Sequence, residues 1–193
     1  MSEVIRSFLA FELPGQIKDI VTTIHGRLKA SSLDVKWVRP GNVHLTVVFL
    51  GNVARGDLGP LSEEVSKACS RYKTFELALK GMGVFGGLKS PRVLWIGVEG
   101  DLERMGFFRD AITKRLARFG IKRESRPFRP HLTLGRFRKG ATGGQVLKEI
   151  LNRYMELHSP RVTLRELTLF KSELRADGAH YTKIRSWPLM GNK

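Results

Sequence analysis

Two short stretches decide the reading: His44-Leu45-Thr46-Val47-Val48-Phe49-Leu50 and His131-Leu132-Thr133-Leu134-Gly135-Arg136-Phe137. Each alternates polar and apolar residues over its first four positions, as a half-buried strand does. Successive strand side chains point to opposite faces, so His44 and Thr46 share one face while Leu45 and Val47 share the other. His131 and Thr133 are separated from Leu132 and Leu134 in the same way. The aliphatic face belongs in a core, which turns each His-Thr pair to the opposite side. Composition predicts less than one His-x-Thr match in a chain with five histidines, yet three occur. The third, His180-Tyr181-Thr182, is followed by Lys183 and stands outside the repeat described next, so it reads as coincidence.

The flanks of the two stretches also repeat, at an offset of 87 residues. Ser7-Phe8-Leu9-Ala10-Phe11-Glu12 falls on Leu94-Trp95-Ile96-Gly97-Val98-Glu99, and both segments read as strands. Each runs into an amphipathic helix. The first, about 14–30, opens with Pro14 at an early helical position and puts Ile17, Ile20, Val21, Ile24 and Leu28 on one face. The second, about 102–119, does so with Met105, Phe108, Ala111, Ile112, Leu116 and Phe119. A basic connector with a proline follows, Arg39-Pro40 or Arg129-Pro130, and then the histidine strand. Further helices are expected over about 58–72 and 144–154, each before a strand; Phe75 to Leu79 matches Val162 to Leu167 only loosely. A closing strand, about 180–187, adds to one lobe. The units span approximately 5–85 and 92–170. This order predicts an α+β protein, residues 1–193 forming one bilobal domain. Two pseudo-symmetric lobes, each a mostly antiparallel sheet with helices on one face, then turn their histidine strands toward a central cleft.

With 193 residues and 41% hydrophobic content the chain is long enough for a real core. Its 34 Lys plus Arg against 18 Asp plus Glu give a formal net charge of +16, which suits a polyanionic partner. Arg115, Arg118, Lys122, Arg123, Arg126, Arg129, Arg136, Arg138 and Lys139 crowd the sequence around His131, a concentration that points to phosphate. A lone Cys69 excludes an internal disulfide and speaks against a cysteine metal site. The first residues carry Glu3, Arg6 and Glu12 and read as a strand, and no window has the apolar length of a membrane span. A cytoplasmic monomer is the expectation.

Four segments together resemble the two-histidine phosphoesterase superfamily, also called HxTx or LigT-like: Arg6 to Pro14 (RSFLAFELP), Val43 to Val53 (VHLTVVFLGNV), Arg129 to Phe137 (RPHLTLGRF) and Gly178 to Leu189 (GAHYTKIRSWPL). Within it the chain is similar to the RNA 2′,3′-cyclic phosphodiesterases. The resemblance implies hydrolysis of cyclic phosphate ends on RNA to 2′-phosphates and, in some members, joining of tRNA halves through a 2′-5′ bond. It implies that His131 is the proton acceptor that activates water and His44 the donor to the departing ribose oxygen. Histidine suits both roles because its unperturbed pKa lies near neutrality. Thr46 and Thr133 donate hydrogen bonds to the non-bridging phosphate oxygens in this reading. No metal and no cofactor is expected, since no third ligand recurs near either histidine and no HExxH or CxxC spacing occurs.

Arg136 and Phe49 occupy the same offset after their histidines and are substrate-binding candidates, with Arg129 beside them. Strict alternation puts Arg136 and Phe49 on the core face. Gly135 offers a bulge that re-aims Arg136; Phe49 has no such neighbour and reads as core with an edge for base stacking. His25, His158 and His180 read as locally satisfied or exposed, Trp37, Trp95 and Trp187 as packing anchors, and the run Gly81, Gly83, Gly86, Gly87 as a flexible turn. Two other functions stay open: a non-catalytic RNA-binding module on this fold, and a phosphodiesterase for small cyclic phosphates or 2′-5′ oligonucleotides.

Overall fold

The computed structural model describes residues 3–176 and 178–193. In chain order its elements are β1 (Val4–Glu12), α1 (Gly15–Lys29), β2 (Val35–Trp37), β3 (His44–Ala54), α2 (Leu58–Cys69), β4 (Phe75–Phe85), β5 (Val93–Gly100), α3 (Leu102–Leu116), β6 (His131–Phe137), α4 (Gly144–Arg153), β7 (Val162–Leu164), β8 (Glu166–Arg175) and β9 (Gly178–Pro188). The fold is α+β, with the four α-helices and both histidine strands where the periodicity calls for them. α1 buries Ile17, Val21, Ile24 and Leu28, and α3 buries Met105, Phe108, Ile112 and Leu116. The Pro14 carbonyl accepts from the amides of Ile17 and Lys18 at 3.0 Å, which starts α1. No helix among the described residues is long and apolar enough to cross a membrane.

The strands pair antiparallel in the order β7-β4-β5-β6-β3-β1-β8-β9, with β2 added beside β6. The histidine strands β3 and β6 therefore meet in the middle. They share a single residue pair, Leu45 opposite Leu132, and both leucines are fully buried. Further along β6 the place of β3 is taken by β2, whose Val35 to Trp37 pair with Phe137 to Gly135. The joint is thus a narrow waist between two broader halves.

Each half is completed by a strand from the other. β4 pairs with β5 and β8 pairs with β1. Parts of the loosely matched segments 75–79 and 162–167 are neighbours in the sheet, with Phe75 to Leu77 opposite Leu164 to Val162. What read as one strand over 162–167 divides between β7 and the long β8. Apolar alternation decides which face of a strand is buried and says nothing about its partner. The exchange lets one core run under both halves, from Leu9 and Phe11 through Leu45 and Leu132 to Leu94 and Ile96.

Glu64 links α2 to α3. Its carboxylate takes Lys67 Nζ at 2.9 Å and Arg115 Nη1 at 3.0 Å, with Arg118 Nη2 at 3.5 Å. The Lys67 bond first and the Arg115 bond second lower its pKa. Cys69 is buried at the end of α2, where burial pushes the thiol up to about 12, a setting in which it stays unreactive.

The glycine-rich run is mostly strand, which corrects the expected turn. Gly81, with φ +62°, marks an irregularity in β4 between Leu79 and Met82. A Cβ on Gly83 would lie 2.2 Å from the Trp95 ring, so the glycine lets that indole lie against β4. Only Gly86 and Gly87 fall in the turn that follows.

Candidate active site

Continuing the antiparallel register one residue either side of Leu45 and Leu132 sets His44 beside Thr133 and Thr46 beside His131. All four lie on the face opposite the buried leucines. His44, Thr46 and Thr133 line a cavity of about 510 Å³, within the roughly 300–1,000 Å³ of ligand-binding clefts.

The two imidazoles are anchored alike. His44 Nδ1 lies 2.7 Å from the Asn42 carbonyl, and His131 Nδ1 lies 2.7 Å from the Arg129 carbonyl. A carbonyl only accepts, so Nδ1–H is the donor in each and Nε2 is left to take or give a proton. Burial is the main reason that both imidazoles titrate below 6.5; the carbonyl bonds oppose it, while His131 adds to the effect at His44 and Arg136 adds to it at His131.

Aromatic rings wall in both histidines. Phe8 stacks on His44 with centroids 4.6 Å apart, and Tyr181 meets it edge-on at 5.2 Å. Phe85 meets His131 edge-on at 4.9 Å, with Trp95 at 6.3 Å. Phe8 and Trp95 are related by the 87-residue offset, so the anchor reading of Trp95 omitted its contact with His131. Trp37 packs against His25 at 5.5 Å, in keeping with an anchor.

Strict alternation fails in both histidine strands, and at the same place. In β3, Leu9 faces Val48 and Ala10 faces Thr46, which leaves Val47 without a partner. In β6, Trp95 faces Thr133 and Leu94 faces Gly135, which leaves Leu134 without one. Val47 and Val48 are both buried, as are Leu134 and Gly135. Each bulge shifts the following residue to the cavity face. Phe49 is therefore 64% exposed rather than core, and Phe49 and Arg136 both line the cavity.

Other expectations are corrected. Arg129 does not line the cavity; its side chain is exposed and its carbonyl is what matters. The basic run around His131 disperses on folding. Arg115 and Arg118 turn to Glu64, Arg123 to Asp110 at 2.6 Å, Arg126 to Glu124, and Arg138 to Asp34 at 3.4 Å. Arg136 alone of that run lines the cavity. His25, which packs against Trp37 and makes a hydrogen bond with the Val38 backbone, and the exposed His158, 3.7 Å from Glu99, need no correction. The third His-x-Thr contributes its middle residue: Tyr181 lines the cavity while Thr182 is exposed. Asn42 was also missed. Its Nδ2 donates to the Ala179 carbonyl at 2.7 Å, tying the approach to His44 to the β8–β9 hairpin. Among the described residues no three His, Cys, Asp or Glu side chains group to hold a metal ion.

Two His-x-Thr strands meeting at the waist of one antiparallel sheet, with helices on the far face, define a two-histidine phosphoesterase fold. The family model described as LigT like Phosphoesterase matches residues 11–95 and 101–181, and the chain belongs to that family. The RNA 2′,3′-cyclic phosphodiesterase of Methanothermobacter thermautotrophicus is 32% identical over 185 residues, covering 96% of this chain and 99% of its own. The enzyme of the same name from Escherichia coli is 31% identical over 198 residues, covering 98% and 99%. Among solved structures, E. coli LigT complexed with 3′-AMP superposes with TM-score 0.73 at 26% identity, covering 97% of this chain and 99% of that one. TT0787 of Thermus thermophilus shares the fold with TM-score 0.80 at 23% identity, covering 98% and 100%.

Proposed function

We propose that this chain is an RNA 2′,3′-cyclic phosphodiesterase that opens cyclic phosphate ends to 2′-phosphates by acid–base catalysis between His131 and His44. The observation that carries the reading is the pair of imidazoles with matched Nδ1 anchors, which leaves two Nε2 atoms for proton transfer on the sheet face opposite Leu45 and Leu132. Neutral His131 takes a proton from water as the oxygen attacks phosphorus. The bond from phosphorus to the ribose O3′ breaks, and protonated His44 gives its proton to that oxygen. The Thr46 and Thr133 hydroxyls hold the non-bridging oxygens, and the Arg136 guanidinium adds positive charge as theirs grows. Phe49 gives the nucleobase an apolar face to stack on. The names of the relatives at about 30% identity support the substrate class.

The same chemistry accepts a 5′-hydroxyl in place of water, so 2′-5′ joining of tRNA halves belongs to the proposal, as does action in the cytoplasm without a metal. The test is incubation of an RNA ending in a 2′,3′-cyclic phosphate with the protein in excess EDTA. A 2′-monophosphate product is expected. A 3′-monophosphate reverses the leaving-group assignment, and loss of turnover with chelator overturns the metal-free route.

A further inference from the structure

Beyond the two histidines, the cavity carries a second polar region that ring opening does not use. β1 alternates regularly from Arg6 to Ala10, so Arg6 and Phe8 share a face and stand two residues, roughly 7 Å, apart. Phe8 stacks on His44; Arg6 is the next step outward. Across the sheet Arg6 is paired with Asn52 of β3. On its other side Ser7 faces Lys171, so the continuing register sets Ser172 of β8 beside Arg6. Ser172 in turn faces Tyr181 of β9.

Asn52, Arg6, Ser172 and Tyr181 therefore form one transverse row over four strands, and all four line the cavity. The Tyr181 hydroxyl feels the charge of both Arg136 and Arg6; burial acts more strongly and raises its pKa, so the phenol stays a donor. No carboxylate lines the cavity among the described residues. None of those residues forms an ion pair with Arg6, whereas Arg55, Arg104 and Arg109 each have one. A guanidinium flanked by hydroxyl and amide groups, with no acid among the described residues that line the cavity, is the chemistry of an anion site with tetrahedral oxygens.

We propose that this row is a second phosphate subsite, which takes the phosphate on the 5′ oxygen of the nucleotide whose cyclic phosphate is opened. The proposal rests on the RNA-end reading above and explains how a chain end is told from a free cyclic nucleotide. Phe49 faces Phe8 across the ladder, between the histidine and the row, where the intervening nucleoside would sit.

The experiment compares kcat/KM for adenosine 2′,3′-cyclic phosphate, its 5′-phosphorylated form, and the dinucleotide ApA ending in a cyclic phosphate, in the wild type and in Arg6→Gln. A 5′ phosphate raises kcat/KM about tenfold or more in the wild type, as a charge-assisted hydrogen bond does, and R6Q collapses that ratio toward one. A gain with the dinucleotide alone assigns the subsite to a chain phosphodiester; a gain with both assigns it to any 5′ phosphate. No gain in the wild type, or an equal gain in R6Q, overturns it. Calorimetry with adenosine 3′-phosphate and adenosine 3′,5′-bisphosphate separates the subsite from the reaction. If no cyclic phosphate is opened, tighter binding of the bisphosphate by the wild type but not by R6Q upholds the subsite while the RNA-end reading fails.

Discussion

His44 and His131 differ in what surrounds them more than in how they are held. Each gives Nδ1–H to the carbonyl two residues earlier, so the proposed acid and base roles rest on protonation state rather than on tautomer. Replacing either by Ala is expected to lower turnover by about 10²–10⁴ with the circular dichroism spectrum unchanged, and Thr46→Ala or Thr133→Ala to cost less. Full activity in either histidine variant would sink the assignment. Burial lowers both pKa values from 6.5. The base works only when neutral, so activity falls as pH drops through its lowered pKa. The acid works only when protonated, so activity also falls as pH rises through its own. The kcat/KM profile is expected to be a bell peaking on the acid side of neutrality. The kcat profile should peak at higher pH, because a bound anionic phosphate favours both protonated forms. A single flat limb would contradict paired acid–base catalysis. His44, His131 and their threonines were legible because the tripeptide His-Leu-Thr occurs twice with its leucine facing inward. Phe8, Asn42 and Tyr181 were not, because their role comes from ring and carbonyl contacts across strands far apart in the chain.

At the scale of elements, the decisive feature is the extra residue at the equivalent place in each histidine strand, Val47 in β3 and Leu134 in β6. Gly135 announced the bulge in β6, but nothing in Val47-Val48 announced its twin in β3, since two valines suit an unbroken strand equally well. The bulge is favoured because it buries both valines while releasing Phe49 to the cavity. Gly135 also meets a packing demand: a Cβ there would lie 2.3 Å from Val35 Cγ1. Gly135→Ala is expected to push β2 off β6 and to destabilise the protein by about 1–3 kcal/mol, as overpacking does, read from its urea midpoint. An unchanged midpoint would mean that β2 is loosely held. The pairing of β4 with β5 and of β8 with β1 was outside the reach of periodicity, which assigns faces and not neighbours.

For the whole molecule, charge and topology act at different ranges. The +16 of the chain favours a polyanion wherever its lysines and arginines fall, yet much of the sequence cluster around His131 is spent on carboxylates of the protein itself. RNA binding is expected to weaken with salt along a linear log–log plot of slope about −0.7 for each phosphate contacted on a single strand, measured by fluorescence anisotropy between low and physiological salt. A flat response would favour a small cyclic phosphate as the substrate. The sequence by itself determined the α+β class, the amphipathic helices, and the presence of two outward-facing His-Thr pairs, because these follow from periodicities of two and 3.6 residues along a local stretch. Only the tertiary structure decided that β3 and β6 meet at one leucine pair, that third strands cross between halves, and that Arg6, Asn52, Ser172 and Tyr181 fall in line. Those outcomes depend on partner and register, which burial of apolar surface settles over the whole chain at once.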